Sequence, residues 1–174
     1  AFSVWRWPGH FKPQHIDNLA AHVDLLPTLA KLSGAELSKK VKEKLDGLCL
    51  LPLLEGKIKT LPDRLVISHM GRWPDGKGQV EAHKYAFCSV HWNNYLLVRS
   101  QTCGNKDCNG ECRIFQKVID GSTKAGYSKR ADFHYAVNSS SKWALFNIKN
   151  DLEQRDDLLL KFPDIVDKMS TGYE

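Results

Sequence analysis

The sequence has no apolar run that approaches the roughly 20 residues a membrane-spanning helix needs, which argues against a helical membrane protein. Its first residues, Ala1 to Trp5, are too short and carry no basic residue, so they do not form a signal peptide. A leader upstream of Ala1 would leave no trace here, so this absence does not settle the compartment.

Cysteine occurs an odd number of times, with five in 174 residues. At least one thiol should therefore be free, metal-bound or paired with another chain. Cys103, Cys108 and Cys112 have metal-like spacing, but zinc would need a fourth ligand, for which Cys88 and His134 are candidates. A disulfide-stapled loop and free thiols are the alternatives.

The formal net charge of +5 is modest and favours an anionic partner without demanding one. Between Arg99 and Arg130, seven basic residues stand against three acidic ones. This bias would steer an anionic ligand, although a solvated surface has the same composition. No aromatic interleaving or nucleic-acid fold signature accompanies it, so we expect no nucleic-acid partner.

The strongest pattern is a short amphipathic helix, in which Leu25, Leu29 and Leu32 recur at helical spacing. Asp24 is a candidate N-cap, and Gly34 is suited to a left-handed C-terminal stop. His22, just before the helix, is expected to be a buried and hydrogen-bonded core residue. A charged helix over 38–45 and a buried apolar segment over 48–56 should follow.

Beyond Pro62 the pattern changes to strands with no helix between them, which predicts an antiparallel sheet of about four strands. A helix opening at Pro163 follows, with Ile165, Met169 and Tyr173 on one face. The fold class is therefore α+β. The predicted strands are Leu65–Met70, Tyr85–Val90, Tyr95–Arg99, Ile114–Ile119 and Trp143–Ile148.

The segment from His69 to Pro74 is the best candidate for substrate contact. A strand end followed by a glycine turn can project His69 and Arg72 into a cleft, and the arginine fork suits sulfate or carboxylate. Trp73 is suited to stacking on a sugar ring. The alternative is a structural loop in which the tryptophan packs and Arg72 pairs with Asp75.

Several motifs resemble the sulfatase family. "H-x-D-L-x-P-T-L" at His22–Leu29, preceded by Arg6-Trp7-Pro8-Gly9, is similar to the region past the middle of the sulfatase catalytic domain. Three further segments match the C-terminal region of arylsulfatases in the same order, and together they cover most of the chain. They are Asp46–Gly56, Cys88–Val98 and Trp143–Gln154.

The resemblance implies two parts. Residues 1–60 would be the last helical pieces of an alkaline-phosphatase-like α/β catalytic domain. Residues 61–174 would form the C-terminal α+β subdomain, with a cysteine-containing insertion at about 100–130. "H-x-G-R-W" also resembles a segment of some bacterial sulfatases that lines the active-site rim, which implies substrate contact by His69, Arg72 and Trp73.

Sulfatases use a formylglycine, made from Cys or Ser in "C/S-x-P-x-R", and a calcium ion held by carboxylates and an amide. No cysteine here fits that motif, since Cys49 lacks both the spacing and the arginine. We therefore expect no catalytic residue, metal ligand or cofactor in this chain. The chain alone should be inactive, and calcium and formylglycine belong to the full-length enzyme.

The main hypothesis is thus the C-terminal fragment of a sulfuric ester hydrolase, which shapes the cleft for a sulfated small molecule or glycan. Its partner would be the missing N-terminal sulfatase domain, or else a second copy of the chain. We expect a periplasmic or secreted location and no membrane contact, and export favours disulfides or thiols over zinc. The alternatives are a stand-alone module that binds anionic glycans and, more weakly, a small zinc module.

Overall fold

A computed structural model describes residues 2–69, 76–99 and 143–174. The chain divides into two compact units, one up to Arg64 and one from Leu65 onward. Several predicted features lie outside the described residues, namely the strand Ile114–Ile119, the basic stretch after Arg99, Arg72, Trp73, Cys103, Cys108, Cys112 and His134. No helix in the described ranges is long and apolar enough to cross a membrane.

The first unit contains a 3-10 turn and three short helices. The turn His22–Asp24 leads directly into α1, Leu25–Ser33, and α2 and α3 follow at Lys39–Lys42 and Leu51–Leu54. The predicted C-terminal stop of α1 is confirmed, because Gly34 has a φ of +71° and Cβ-bearing residues rarely adopt that conformation. The predicted burial of the apolar segment at α3 is also confirmed at Leu53 and Leu54.

The leucine face of α1 is exposed, with Leu25 at 44% and Leu29 at 52% of full exposure. The side chains that α1 and its lead-in bury are Asp24, Thr28 and Ala30. The periodicity correctly predicted a helix, but the face of α1 that carries Leu25 and Leu29 is not the face that packs within the first unit. His22 is exposed as well, so its predicted place in the core is wrong.

Asp24 is fully buried and binds Arg64, whose side chain is only 13% exposed. The Arg64 guanidinium donates from Nη1 to Oδ1 at 2.7 Å and from Nη2 to Oδ2 at 2.6 Å. The backbone N–H groups of Ala21 and Leu48 donate to the same carboxylate at 2.7 and 2.8 Å. Asp24 makes no side-chain cap to α1, so its predicted role as an N-cap is wrong.

Thr28 extends this buried network one turn along α1. Its hydroxyl donates to the Asp24 carbonyl at 2.6 Å and accepts from the Leu50 N–H at 2.8 Å. The backbone at Gly47 also lies close to the backbone at Val23, because a Cβ on Gly47 would lie 2.0 Å from the Val23 carbonyl oxygen. The segment that leads into α3 is therefore joined to α1 by polar contacts that a side chain at position 47 would disrupt.

Burial alone would raise the pKa of Asp24, but the Arg64 guanidinium and the N–H groups of Ala21 and Leu48 outweigh it and lower that pKa. A carboxyl with a lowered folded-state pKa stabilises the fold fully above its ordinary value of 3.8. This stabilisation is lost as the pH falls through the folded-state pKa.

We predict that Asp24→Asn destabilises the first unit by about 3 kcal/mol at pH 7, because it leaves Arg64 charged and half-paired in a buried site. Amide hydrogen exchange at Leu48 and Leu50 should accelerate about a hundredfold, since 1.36 kcal/mol is a tenfold change. The acid sensitivity of that exchange should also shrink. Asp46→Asn, at an exposed position, is the matched control, and equal effects in the two variants would contradict the prediction.

The second unit is built on an antiparallel sheet whose strands lie in the order β1-β2-β3-β4. A short helix, α4 at Gln79–His83, precedes β2, and the helix α5, Pro163–Thr171, follows the sheet. The predicted α+β arrangement, an antiparallel sheet of about four strands with a C-terminal helix, is confirmed, but the prediction that no helix lies between the strands is wrong, because α4 lies between β1 and β2. The strands are β1 Val66–His69, β2 Cys88–Trp92, β3 Tyr95–Arg99 and β4 Ala144–Asn147.

The hairpin between β2 and β3 is tighter than the sequence indicated. Trp92 pairs directly with Tyr95, so the turn consists of Asn93 and Asn94 alone. Asn93 takes a φ of +51°, which asparagine tolerates better than most residues. Strand β2 runs from Cys88 to Trp92, so it begins three residues later and ends two residues later than predicted.

The core of this unit lies between the sheet and α5. Val90, Leu97 and Leu145 are paired across three neighbouring strands and fully buried, and Met169 of α5 is fully buried against them. Ile165 and Tyr173, the other residues of the predicted helix face, pack around this cluster. The periodicity of α5 thus predicted its buried side correctly.

Candidate functional site at one end of the sheet

Three strands place polar side chains side by side at one end of the sheet. His69 is paired with Cys88, and Cys88 is paired with Arg99. Paired residues of antiparallel strands lie on the same face, which here is the face that carries Val90, Leu97 and α5. At a strand spacing of about 4.8 Å, His69 and Arg99 stand about 10 Å apart across Cys88.

The chain enters and leaves the sheet repeatedly at this end. Residues 70–75, which contain the predicted substrate loop, follow His69 directly, and residues 100–142 connect Arg99 to Trp143. Strands β1 and β3 finish here, and β2 and β4 start here, because the sheet is an antiparallel meander. The sequence-predicted substrate residue His69 therefore lies at the end of the sheet where the long connections attach.

His69 is half-buried, and its Nε2 lies 3.0 Å from the backbone carbonyl oxygen of His83. A carbonyl oxygen only accepts hydrogen bonds, so this contact requires the proton of the imidazole on Nε2. His83 itself is buried at the end of α4. The short helix before β2 thus orients the ring of His69.

Arg99 stands among three aromatic rings. Its guanidinium carbon lies 4.5 Å from the ring centre of Tyr85 and 5.8 Å from that of Trp143. Tyr173 completes the group, with its ring centre 5.6 Å from Tyr85 and 5.7 Å from Trp143. Cation–π attraction of this kind holds a guanidinium in place without using its N–H donors.

The Cys88 thiol lies in this cluster and is only 2% exposed. Burial raises its pKa, and this outweighs the opposing effects of the Tyr173 hydroxyl and the Arg99 charge. Burial also raises the pKa of Tyr173, as does its hydrogen bond with Cys88. The Tyr173 hydroxyl donates to the Lys84 carbonyl oxygen. Both groups are therefore neutral at physiological pH, which leaves Arg99 as the charged member of the cluster.

The connection between α4 and β2 is also held by Glu174. The Tyr85 hydroxyl donates to its carboxylate at 3.2 Å, and the Lys84 ammonium donates to its backbone carbonyl at 3.3 Å. These contacts fix the tyrosine that stacks against Arg99. The arrangement can position a cation, but its buried neutral thiol is not suited to nucleophilic attack.

We predict that Cys88 is alkylated by iodoacetamide more slowly than Cys49 at pH 8, because a buried thiol with a raised pKa offers little accessible thiolate. Cys49 is partly exposed and serves as the internal comparison. Peptide mapping by mass spectrometry separates the two sites. In urea the difference should vanish, and equal labelling of the folded chain would contradict the assignment.

No group of three or more His, Cys, Asp or Glu side chains that could hold a metal ion occurs within 2–69, 76–99 or 143–174. Calcium requires a cluster of oxygen ligands, usually carboxylates. The residues that the structure describes therefore do not fit a calcium site. The choice between zinc, disulfide and thiols at the three clustered cysteines stays a prediction.

Sequence reasoning named His69 but missed Arg99, Tyr85 and Tyr173 as one cluster. The periodicity correctly placed Tyr173 on the side that packs against the core, although α5 ends at Thr171, and Arg99 lies at the end of β3 as predicted. Their proximity depends on strand register and on where α5 crosses the sheet, which no local pattern contains.

Comparison with known proteins shows that the chain is similar to sulfatases, although no protein-family model matches it. Bovine arylsulfatase A is 39% identical over 103 residues, which cover 59% of this chain and 19% of that enzyme. A protein named uncharacterized sulfatase YdeN, from Escherichia coli K12, is 25% identical over 178 residues. That match covers 95% of this chain and 27% of YdeN.

A solved structure from a study of glycosaminoglycan metabolism by Bacteroides thetaiotaomicron has the same fold, with a TM-score of 0.53 at 19% identity. The match covers 97% of this chain and 28% of that protein. The chain thus spans about a fifth to a quarter of the length of the curated relatives named above. It is related to the sulfatase family and corresponds to the C-terminal region of that family.

Proposed function

We propose that this chain is the C-terminal part of a sulfuric ester hydrolase and forms one wall of its substrate cleft. The observation that carries the proposal is the match along nearly the whole chain to about a quarter of a sulfatase. The candidate site supports the proposal, because His69 and Arg99 lie on the same face at one end of the sheet.

In this proposal residues 1–60 are the last pieces of an alkaline-phosphatase-like catalytic domain, and residues 61–174 are the C-terminal subdomain. The missing N-terminal sulfatase domain would then cover the leucine face of α1, where Leu25 and Leu29 are about half exposed. Burying such side chains is favourable by roughly 1.5–3 kcal/mol each. A second copy of the chain is the alternative partner for that face.

The remainder of the enzyme would supply the formylglycine and the calcium site, and the enzyme would act in the periplasm or outside the cell. This chain would contribute substrate contacts through His69, Arg72 and Trp73. Of these, His69 belongs to the described sheet, where the His83 carbonyl holds its Nε2 proton. An imidazole held in one orientation can position a sugar hydroxyl or a sulfate oxygen.

The test compares hydrolysis of 4-nitrophenyl sulfate by this chain alone and by the protein encoded by its complete gene. We expect turnover only in the complete protein, because the chain has no "C/S-x-P-x-R" nucleophile motif. Turnover by the chain alone, or a complete gene without that motif, would overturn the proposal.

In the complete enzyme, we predict that His69→Ala lowers kcat/KM for a sulfated sugar about tenfold, which corresponds to about 1.4 kcal/mol of transition-state stabilisation. Ser68→Ala is the matched control, because Ser68 is exposed and lies on the opposite face of the same strand. An equal loss in both variants would indicate a general defect of β1 and contradict the role of His69.

A stand-alone module for anionic glycans is the second candidate function. The observations that favour it are the net charge of +5 and the guanidinium of Arg99 among aromatic rings. Retention of the isolated chain on immobilised heparin at low salt would support this candidate. Absence of retention would count against it.

A further inference from the structure

Arg99 differs from the other arginines with described contacts in having no anionic partner among the residues that the structure places. Arg64 binds the carboxylate of Asp24, and Arg155 pairs with Glu153. Within the same ranges the Nε of Arg99 is buried without a hydrogen-bond acceptor, which is also true of the Nε of Arg64, but the two terminal nitrogens of Arg64 donate to the Asp24 carboxylate. A buried charged donor without an acceptor is costly, so the Nε–H of Arg99 is a group that a bound anion would satisfy.

The surroundings of Arg99 stabilise its position, while its Nε–H finds no acceptor among the residues that the structure describes. Its described contacts are with the ring faces of Tyr85 and Trp143, and rings attract the cation without accepting its N–H groups in the guanidinium plane. Cys88 and Tyr173 beside it are neutral. The carboxylate of Glu174 accepts from the Tyr85 hydroxyl. The guanidinium is therefore held by aromatic contacts at an end of the sheet where no described carboxylate neutralises it.

We propose that Arg99 binds the sulfate group of a sulfated sugar, with its planar fork donating two hydrogen bonds to the sulfate oxygens. Paired N–H donors match the oxygens of a tetrahedral anion, and the low polarity of the three rings strengthens the attraction. The oxyanion site follows from the geometry around Arg99. The choice of a sulfated sugar as its ligand rests on the proposed function.

The location of Arg99 fits this role. It lies on the same face as His69, about 10 Å away across the Cys88 strand. Two such groups can contact separate substituents of one glycan. Arg99 would thus select substrates that carry an anionic group beyond the ester under attack, which makes it a specificity residue rather than a catalytic one.

The test is an NMR titration of the 174-residue chain at low salt, which follows the side-chain Nε–H of Arg99 and the indole N–H of Trp143. The probes are glucose 6-sulfate, glucose and inorganic sulfate. We expect both resonances to shift with glucose 6-sulfate, no shift with glucose, and weaker binding of inorganic sulfate. Shifts with glucose, or equal affinity for inorganic sulfate, would overturn the proposal.

Variants assign the binding to the guanidinium. Arg99→Lys keeps the charge but loses the fork, so the affinity for glucose 6-sulfate should fall about tenfold, and Arg99→Gln should abolish binding. The matched control is Arg155→Gln, at an exposed arginine, which should bind normally. Unchanged affinity in Arg99→Lys and Arg99→Gln would contradict the assignment.

The wild-type titration decides the matter even if Arg99→Gln fails to fold, because it needs no variant. The result is also separate from the proposed function. The titration measures binding without hydrolysis. Binding through Arg99 in a protein that hydrolyses no sulfate ester would contradict only the proposed function. Hydrolysis by the complete protein without binding at Arg99 would contradict only the role of Arg99.

Discussion

In the second unit, Val90, Leu97 and Leu145 are buried in one row beneath Met169, and this burial sets the register of the strands. A slip of one residue would turn each of these side chains to the opposite face. The same register aligns His69, Cys88 and Arg99 at the end of the sheet. The apolar core therefore determines which polar groups meet at the candidate site, although it contains none of them.

The first unit depends on a polar constraint instead. Asp24 is fully buried and accepts from Arg64 and from two backbone N–H groups, so residues far apart in sequence are joined at one carboxylate. Replacing one partner of such a pair is costly, because the other remains charged in a site of low polarity. This explains how the unit holds its segments together while the leucines of α1 remain exposed.

Exposed leucines on a helix with strong apolar periodicity usually mark a surface that binds something else. Under the proposed function, the catalytic domain of a sulfatase would cover this surface. On that interpretation, the apolar face serves assembly of the larger enzyme, and the Asp24–Arg64 network serves the integrity of the piece itself.

The sequence alone determined what depends on local pattern. Alternation and turn residues predicted the antiparallel sheet, the period of Ile165, Met169 and Tyr173 predicted the buried side of α5, and ordered motifs indicated the sulfatases. Tertiary structure decided what depends on distant partners. It changed Asp24 from an N-cap to a buried ion-pair partner of Arg64, and it brought Tyr85 and Tyr173 to Arg99. Such contacts join residues tens of positions apart, and periodicity and propensity describe only near neighbours along the chain.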